Sequence, residues 1–195
     1  MEYVSQSLVF TTSSIYCDFS NLDDEAVAEM QIHYVMMDWE DPIMSGSAAY
    51  VCENGGDILE IGFGMGISAN YIQSHTINSH TIIENHPDII LKAQSWAADK
   101  SNVTIIEGDW YDVKDTLSTY DGLFYDTFFD MNYHHFSSSL SSLMKSGGKV
   151  TWFNDIPSEN NTINIPGVTY DVYNISPPTN QYFNYSEYYL PKKQF

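Results

Sequence analysis

The spacing of apolar and polar positions changes period several times along this chain. Residues 1–20 show no clean period, only Ser and Thr clusters among scattered aromatics. From Asn21 the segment NLDDEAVAEMQIHYVMMDW predicts a helix. Asn21 can cap it, acids fill its first turn, and Val27, Met30, Val35 and Met36 approximate one apolar face. Pro42 breaks or restarts that helix. Asn54-Gly55-Gly56 signals a turn, after which short apolar runs and helical stretches alternate. Strands are predicted over 57–62, 79–84, 103–107 and 120–126, and a fifth begins at Lys149 (KVTWFN). Helices are predicted from the glycine-rich turn to about Gln73, over 87–99 with Pro87 in the first turn, and over about 133–145, ending at Gly147-Gly148.

Strands alternating with helices at these lengths imply right-handed crossovers and a mostly parallel sheet covered on both faces. The tail from 158 onward is rich in Asn, Tyr, Pro and Thr. It carries two further predicted strands, about 167–173 and 181–189, around Pro177-Pro178. An antiparallel hairpin there completes a seven-stranded sheet, so the fold class is α/β. The 195 residues suit a single domain.

Charge narrows the partners. The formal net charge is −19, and the seven basic residues are all Lys. A nucleic-acid partner needs a basic surface to displace counterions, and anionic membranes need the same, so both are excluded. The missing Arg removes the bidentate fork that grips carboxylates and phosphates. Cationic or neutral small substrates are favoured. Most of the 26 acidic residues read simply as solvated surface. No apolar run is long enough to span a membrane, and no signal-peptide pattern opens the chain. With two cysteines, Cys17 and Cys52, a disulfide scaffold or zinc site is not expected, and a cytoplasmic setting fits. The six histidines show no metal-ligand spacing, and His134-His135 reads as exposed.

The first predicted strand of the sheet runs into Gly62-Phe63-Gly64-Met65-Gly66. Ligands of open parallel sheets bind at the carboxyl ends of strands, where the strand order reverses. Glycines there let the backbone approach a ligand and present amide donors at the helix start. A dinucleotide loop would carry its third glycine where Ile67 stands, and a phosphate P-loop would need Gly-Lys-Ser/Thr. Glu60, just before the turn, suits an ammonium group reached directly or through water. Glu84 ends the second strand, where a carboxylate can accept hydrogen bonds from both ribose hydroxyls. A ligand with a cationic amino-acid part and a free ribose meets both demands; S-adenosylmethionine is one. At the end of the fourth strand stands Asp126, followed by Thr127-Phe128-Phe129. A polar group before aromatics can orient an acceptor nitrogen, and aromatic faces favour a nearby cation.

VMMDWEDPIM, ILEIGFGMGIS, HTIIENHPDI, GDWYDV and YDGLFYDTF occur in this order. Together they resemble guanidinoacetate N-methyltransferase and the type 2 fungal and plant arginine methyltransferases, over about residues 30–155 and again near Ser176. The resemblance implies a Rossmann-like class I methyltransferase fold with an N-terminal lid and helix (1–50), a cofactor-binding core (51–155) and C-terminal strands (156–195). It also implies that Met44, Phe63 to Ser68 (with Met65, Gly66 and Ile67), Glu84, Asn85, His86, Trp110 and Tyr111 surround S-adenosylmethionine. Glu84 would take the ribose and Trp110 would lie beside the adenine. Glu40 and Asp126 would clamp a guanidinium, with Met36 touching the substrate and Asp126 accepting the proton. Positions matching Asp155 and Ile156 hold the acceptor's carboxylate in the family. Asp155 would repel such a group if it pointed inward, and the family's long helix before the sixth strand is shortened here to PSENNTINIPG. The implied activity is N-methylation of a small cationic guanidino compound, guanidinoacetate-like. Protein-arginine methylation is the alternative, a non-catalytic S-adenosylmethionine-binding partner subunit a third reading, and a homodimer is compatible with either.

Overall fold

The computed structural model describes residues 3–18, 32–156, 163 and 165–195. Three short strands come first: β1 (Leu8–Phe10), β2 (Ser14–Asp18) and β3 (Ile32–Met37) form a small antiparallel sheet in that order. This corrects the helix expected over 21–39. Its cap and first turns lie outside the described residues, but Ile32–Met37 is extended and pairs with β2 from Ser14↔Met37 to Asp18↔Ile32. The run Ile-His-Tyr-Val is rich in side chains that favour a pleated surface, and pairing with β2 overrides a weak helical period. The strands β1 and β2 themselves fall where no period was visible.

A 3-10 turn, Asp38–Glu40, leads into α1 (Asp41–Val51), with Pro42 in its first turn, where a missing N–H costs nothing. The expected alternation follows: β4 (Asp57–Ile61), α2 (Ile67–Ser74), β5 (Ser79–Glu84), α3 (Pro87–Ala97), β6 (Val103–Glu107), the short α4 (Trp110–Val113) and β7 (Tyr120–Tyr125). Then come α5 (Phe136–Leu143), β8 (Met144–Trp152), β9 (Thr169–Asn174) and β10 (Glu187–Gln194). The second sheet has seven strands in the order β6-β5-β4-β7-β8-β10-β9. Neighbouring strands from β6 to β8 are parallel, while β10 runs antiparallel to both β8 and β9. This is the Rossmann-like arrangement expected. Among the described residues, no helix is long and apolar enough to cross a membrane.

Two boundaries differ from expectation. The helix before β8 ends at Leu143, and the glycine pair lies inside β8, where the register against β7 slips. Gly147 has a φ of +84°, which suits glycine at an irregular step of the ladder. The last strand starts at Glu187 rather than 181, because Asn180 folds the preceding residues into a compact turn. Its Oδ1 accepts from the N–H groups of Tyr182 and Phe183, and its Nδ2 donates to the Pro178 and Phe183 carbonyls.

Period-2 alternation decides which side chains meet which layer. Leu59, Ile61, Leu123 and Tyr125 join Phe136, Leu140 and Trp152 in one buried cluster. Ile58 and Phe124 join Ile43, Met44, Ala48 and Ile72 in another, on the opposite face. At the N-terminal ends of β4 and β7, Lys145 Nζ lies 2.7 Å from both Asp57 and Asp121 and offsets their like charges. At the C-terminal ends the chain order reverses between the two strands, which stay paired as far as the Asp126 N–H, donated to the Ile61 carbonyl at 2.9 Å. Gly62 makes the approach there possible. Its φ is +94°, and a Cβ on it would overlap the Asp126 carbonyl oxygen. Gly62→Ala is therefore expected to lower unfolding stability by at least about 2 kcal/mol. Urea denaturation of the two proteins checks this; an unchanged midpoint would show that the crevice is not so tight.

Candidate active site at the β4–β7 crevice

The carboxyl ends of β4, β5, β6 and β7 surround a cleft of about 650 Å³, open mouth included. Topology explains its position, since parallel strands that diverge at a switch point leave a crevice that no crossover covers. Met36 from β3, Gly62, Phe63, Gly64 and Ser68 from the glycine turn, Glu84 and Asn85 after β5, Trp110 after β6, and Asp126 after β7 all line it. These expected site residues are separated by up to 90 positions in the chain and meet here.

Glu84 ties the walls together. Its Oε2 accepts from the Phe63 N–H at 2.9 Å, and its Oε1 accepts from the N–H groups of Asn85 and His86, each at 2.9 Å. Burial raises its carboxyl above the ordinary range, and these backbone donors oppose that rise. On the other side of the loop, the Met65 N–H donates to Met36 Sδ at 3.2 Å. Gly64, at φ +53°, leaves the room that the Met36 sulfur occupies.

Asp126 is the half-buried, cleft-lining end of this acidity. Among the described residues its carboxylate accepts no hydrogen bond, and no lysine lines the cleft. Burial and the charges of Glu60 and Glu84 push its carboxyl up to about 7. Glu40 is buried at the start of α1. Its Oε1 accepts from the Met37 N–H at 2.8 Å and from the Tyr182 hydroxyl at 2.6 Å. Burial, and after it the charge of Asp126, push Glu40 up to about 8 against those two donors. Glu40 does not line the cleft itself but lies close enough to feel the Asp126 charge, and among the described residues no lysine lines the cleft to offset it.

Other expected residues stand outside the cleft lining. Glu60 is fully buried beneath the glycine turn. Its Oε1 accepts from the Ser68 hydroxyl, and its Oε2 lies 2.9 Å from His80 Nε2, at ion-pair distance but not aligned as a hydrogen bond. It acts on the cleft through its charge rather than by contact. Met44 is fully buried between α1 and the sheet, and Met65 and Ile67 pack partly against the same cluster. Gly66 caps α2 at φ +74°, where a Cβ would meet the Phe63 ring. His86 holds the chain rather than the cleft. Its Nδ1 accepts from the Asp88 N–H and its Nε2 lies 2.9 Å from the Gln6 carbonyl, so Nε2 carries the proton. Tyr111 stacks on His135, with ring centroids 4.4 Å apart. Asp155 is exposed after β8, and the Ile156 N–H donates to Asn154 Oδ1 at 3.4 Å.

The structure also adds residues that sequence reasoning missed. Asp130 accepts from Trp110 Nε1 at 2.6 Å, from the Asn132 N–H at 2.6 Å and from the Tyr125 hydroxyl, and so fixes the indole at the cleft wall. Asp109 caps α4 through the Tyr111 N–H and lines the cleft beside Gly108. A helix-capping pattern could have singled it out. Tyr3, packed edge-on against Phe128, closes one side, and no local signal marked it.

The guanidinoacetate N-methyltransferase family model matches residues 13–161. Among curated proteins, the chain is 36% identical over 173 residues to protein arginine N-methyltransferase 2 of Kluyveromyces lactis, covering 80% of this chain and 40% of that one. It is 32% identical over 188 residues to the Yarrowia lipolytica protein of the same name, covering 89% and 36%. The chain thus spans about 40% of the length of the relatives it matches. Among solved structures, the N-methyltransferase NodS from Bradyrhizobium japonicum WM9 has a TM-score of 0.61 at 14% identity, over 80% of this chain and 96% of that one. A spermidine synthase in complex with the transition-state analogue AdoDATO has a TM-score of 0.62 at 11% identity, over 96% and 71%. Those two likenesses show the fold, a class I methyltransferase fold of the kind that takes S-adenosylmethionine, and with residues 13–161 matched the chain belongs to the guanidinoacetate N-methyltransferase family.

Proposed function

We propose that this chain transfers a methyl group from S-adenosylmethionine to a guanidino nitrogen of arginine in a protein. One observation carries the reading: Asp126 lines a cleft without a lysine and, among the described residues, accepts no hydrogen bond, while its charge acts on the buried Glu40 carboxyl behind it. A planar cation that donates hydrogen bonds to both would relieve the repulsion and the lost solvation together. The curated relatives' name, protein arginine N-methyltransferase 2, supports arginine as the acceptor.

The residues present suit the cofactor. Glu84 lines the cleft at the end of β5, where a carboxylate can accept from a ribose hydroxyl. Trp110, fixed by Asp130, offers an apolar wall to an adenine, and Gly62 and Gly64 let the chain pass close to a bound ligand. When bound, S-adenosylmethionine supplies an electrophilic methyl group on a positively charged sulfur. Asp126, Glu60 and Glu84 make the field there favourable for that positive charge.

A guanidinium nitrogen is a poor nucleophile because its lone pair is delocalised and the group is protonated at neutral pH. Glu40 and Asp126 fix its rotation, so the protein's contribution is positioning. Asp126, raised toward neutrality by its surroundings, accepts the proton that the nitrogen releases as the new bond forms.

The family model's own name favours a second reading, a guanidinoacetate-like small molecule. The loop after β8 argues against it. Asp155, at the position that the family resemblance matches to the hold on the acceptor's carboxylate, is an exposed acid that adds negative charge to this loop, and the Ile156 N–H is already directed to Asn154. A peptide arginine has no such carboxylate to place.

Methyl transfer measured in parallel on an arginine-rich peptide, free arginine, agmatine and guanidinoacetate is expected to run fastest on the peptide. Preference for guanidinoacetate would reverse the assignment. Asp126→Ala is expected to lower turnover by at least about 10³-fold while cofactor binding stays measurable by calorimetry. The acceptor kcat/KM is expected to rise with pH through about 7 to 8, because both carboxylates must be ionised to hold the cation. A flat profile from pH 6 to 9 would contradict that.

The same shift has a stability consequence of fixed sign. A carboxyl whose folded value is raised favours folding below its unfolded value of about 3.9, and that contribution is lost as pH rises through the folded value. Asp126→Asn is therefore expected to melt higher than wild type at pH 8.5 and alike at pH 4. Thermal melts at the two pH values check it.

A further inference from the structure

Glu40 is held from far away in the chain. Tyr182 lies in the segment between β9 and β10, and its hydroxyl donates to Glu40 Oε1 at 2.6 Å. Several independent contacts fix that hydroxyl. The Tyr182 ring stacks on Trp39, the residue before Glu40, with centroids 6.0 Å apart and planes 29° apart. Phe183 stacks on the same indole at 5.7 Å. The Asn180 turn clamps the backbone N–H of Tyr182 at 2.9 Å, and Gln181 Nε2 donates to the Tyr34 carbonyl of β3 at 2.7 Å. Burial and the neighbouring Glu40 charge keep the phenol protonated far beyond the neutral range, so it is a permanent donor.

A carboxylate oxygen has two lone pairs. Tyr182 and the Met37 N–H take both on Oε1, and among the described residues no hydrogen bond reaches Oε2. We propose that Tyr182 is a positioning residue for the methyl acceptor: by filling Oε1 it leaves Oε2 as the one Glu40 oxygen with bonding capacity for a guanidinium, and holds it in a single orientation. This rests on the guanidino reading above. It deepens that reading by making the acceptor half of the site depend on the C-terminal strands, while the cofactor half depends on β4 to β7.

The charged and titratable groups that act on Glu40 are few. Asp126 from the end of β7 raises it, and Tyr182 from the tail and the Met37 amide from its own turn lower it. Tyr188 of β10 feels the charges of both carboxylates from a fully buried position. Removing the Tyr182 hydroxyl takes away one of two opposing donors and leaves both raising influences in place.

The test is Tyr182→Phe, which keeps the ring and its stacking. Three quantities are read. The Glu40 carboxyl midpoint, followed by carbon-13 NMR and assigned with Glu40→Gln, is expected to rise by about one pH unit. The Kd of an arginine peptide, measured with S-adenosylhomocysteine present, is expected to rise about tenfold. The Kd of S-adenosylhomocysteine is expected to stay within about twofold of wild type. Incorporation of 2,3-difluorotyrosine at 182 strengthens the donor without removing it and is expected to move the first two quantities the other way. It also decides the matter if the Phe protein does not fold. An unmoved midpoint, or a moved midpoint with unchanged peptide affinity, overturns the proposal. Failure of the wild-type protein to transfer methyl to any guanidino compound would overturn the function proposed above, whereas the titration and peptide binding read Tyr182 without turnover.

Discussion

A single buried carboxylate organises the site. Glu84 accepts backbone N–H groups from Phe63, Asn85 and His86, two loops that follow different strands. Charge-assisted bonds of this kind are short and strong, and here they are shielded from water. With Phe63 pinned, Gly62 must turn at positive φ, and with Gly62 turned its backbone meets the carbonyl of Asp126. The start of α2, the crevice between β4 and β7, and the place of Asp126 all follow. Only glycine at 62 and an acid at 84 satisfy both ends of that chain of constraints.

The price of this arrangement is electrostatic. Glu40, Glu60, Glu84 and Asp126 are gathered within one end of the sheet, and among the described residues His80 alone approaches one of them at ion-pair distance. Burial makes Glu40, Glu84 and Asp126 costly to ionise where they stand, and neighbouring carboxylates add repulsion at Glu40 and Asp126. A ligand that brings positive charge binds the folded state and not the unfolded one, and so stabilises the fold by mass action. Recognition and stabilisation draw on the same imbalance.

Much of this was legible in the sequence. The strand-turn-helix alternation from 57 to 126 is regular because each strand is a short apolar run, the first three closed by Gly or Asn, and those signals are local. The glycine turn, Glu84 and Asp126 were readable because strand ends in a parallel sheet are also site positions. What escaped depended on distant partners. Ile32–Met37 has a usable helical period and becomes a strand only because β2 lies beside it. Tyr182 is one of fifteen tyrosines, and nothing near it in sequence reveals that its hydroxyl reaches a carboxylate 142 positions away. Glu60 was placed at the ligand because it precedes the glycine turn, but strand alternation points it inward with Ile58, toward Ser68 and His80 instead.

The missing arginines change what an acidic cleft can do. In a chain with guanidinium groups of its own, the cleft-lining Asp126 could be met by a neighbouring side chain, and the site could be plugged from within or from a second copy. These 195 residues contain none. Their lysines are engaged elsewhere or exposed, and none lines the cleft. Under the function proposed above, no side chain within these 195 residues can take the place of the guanidino substrate or carry its methyl mark, so along this stretch the acceptor must come from another molecule or another segment.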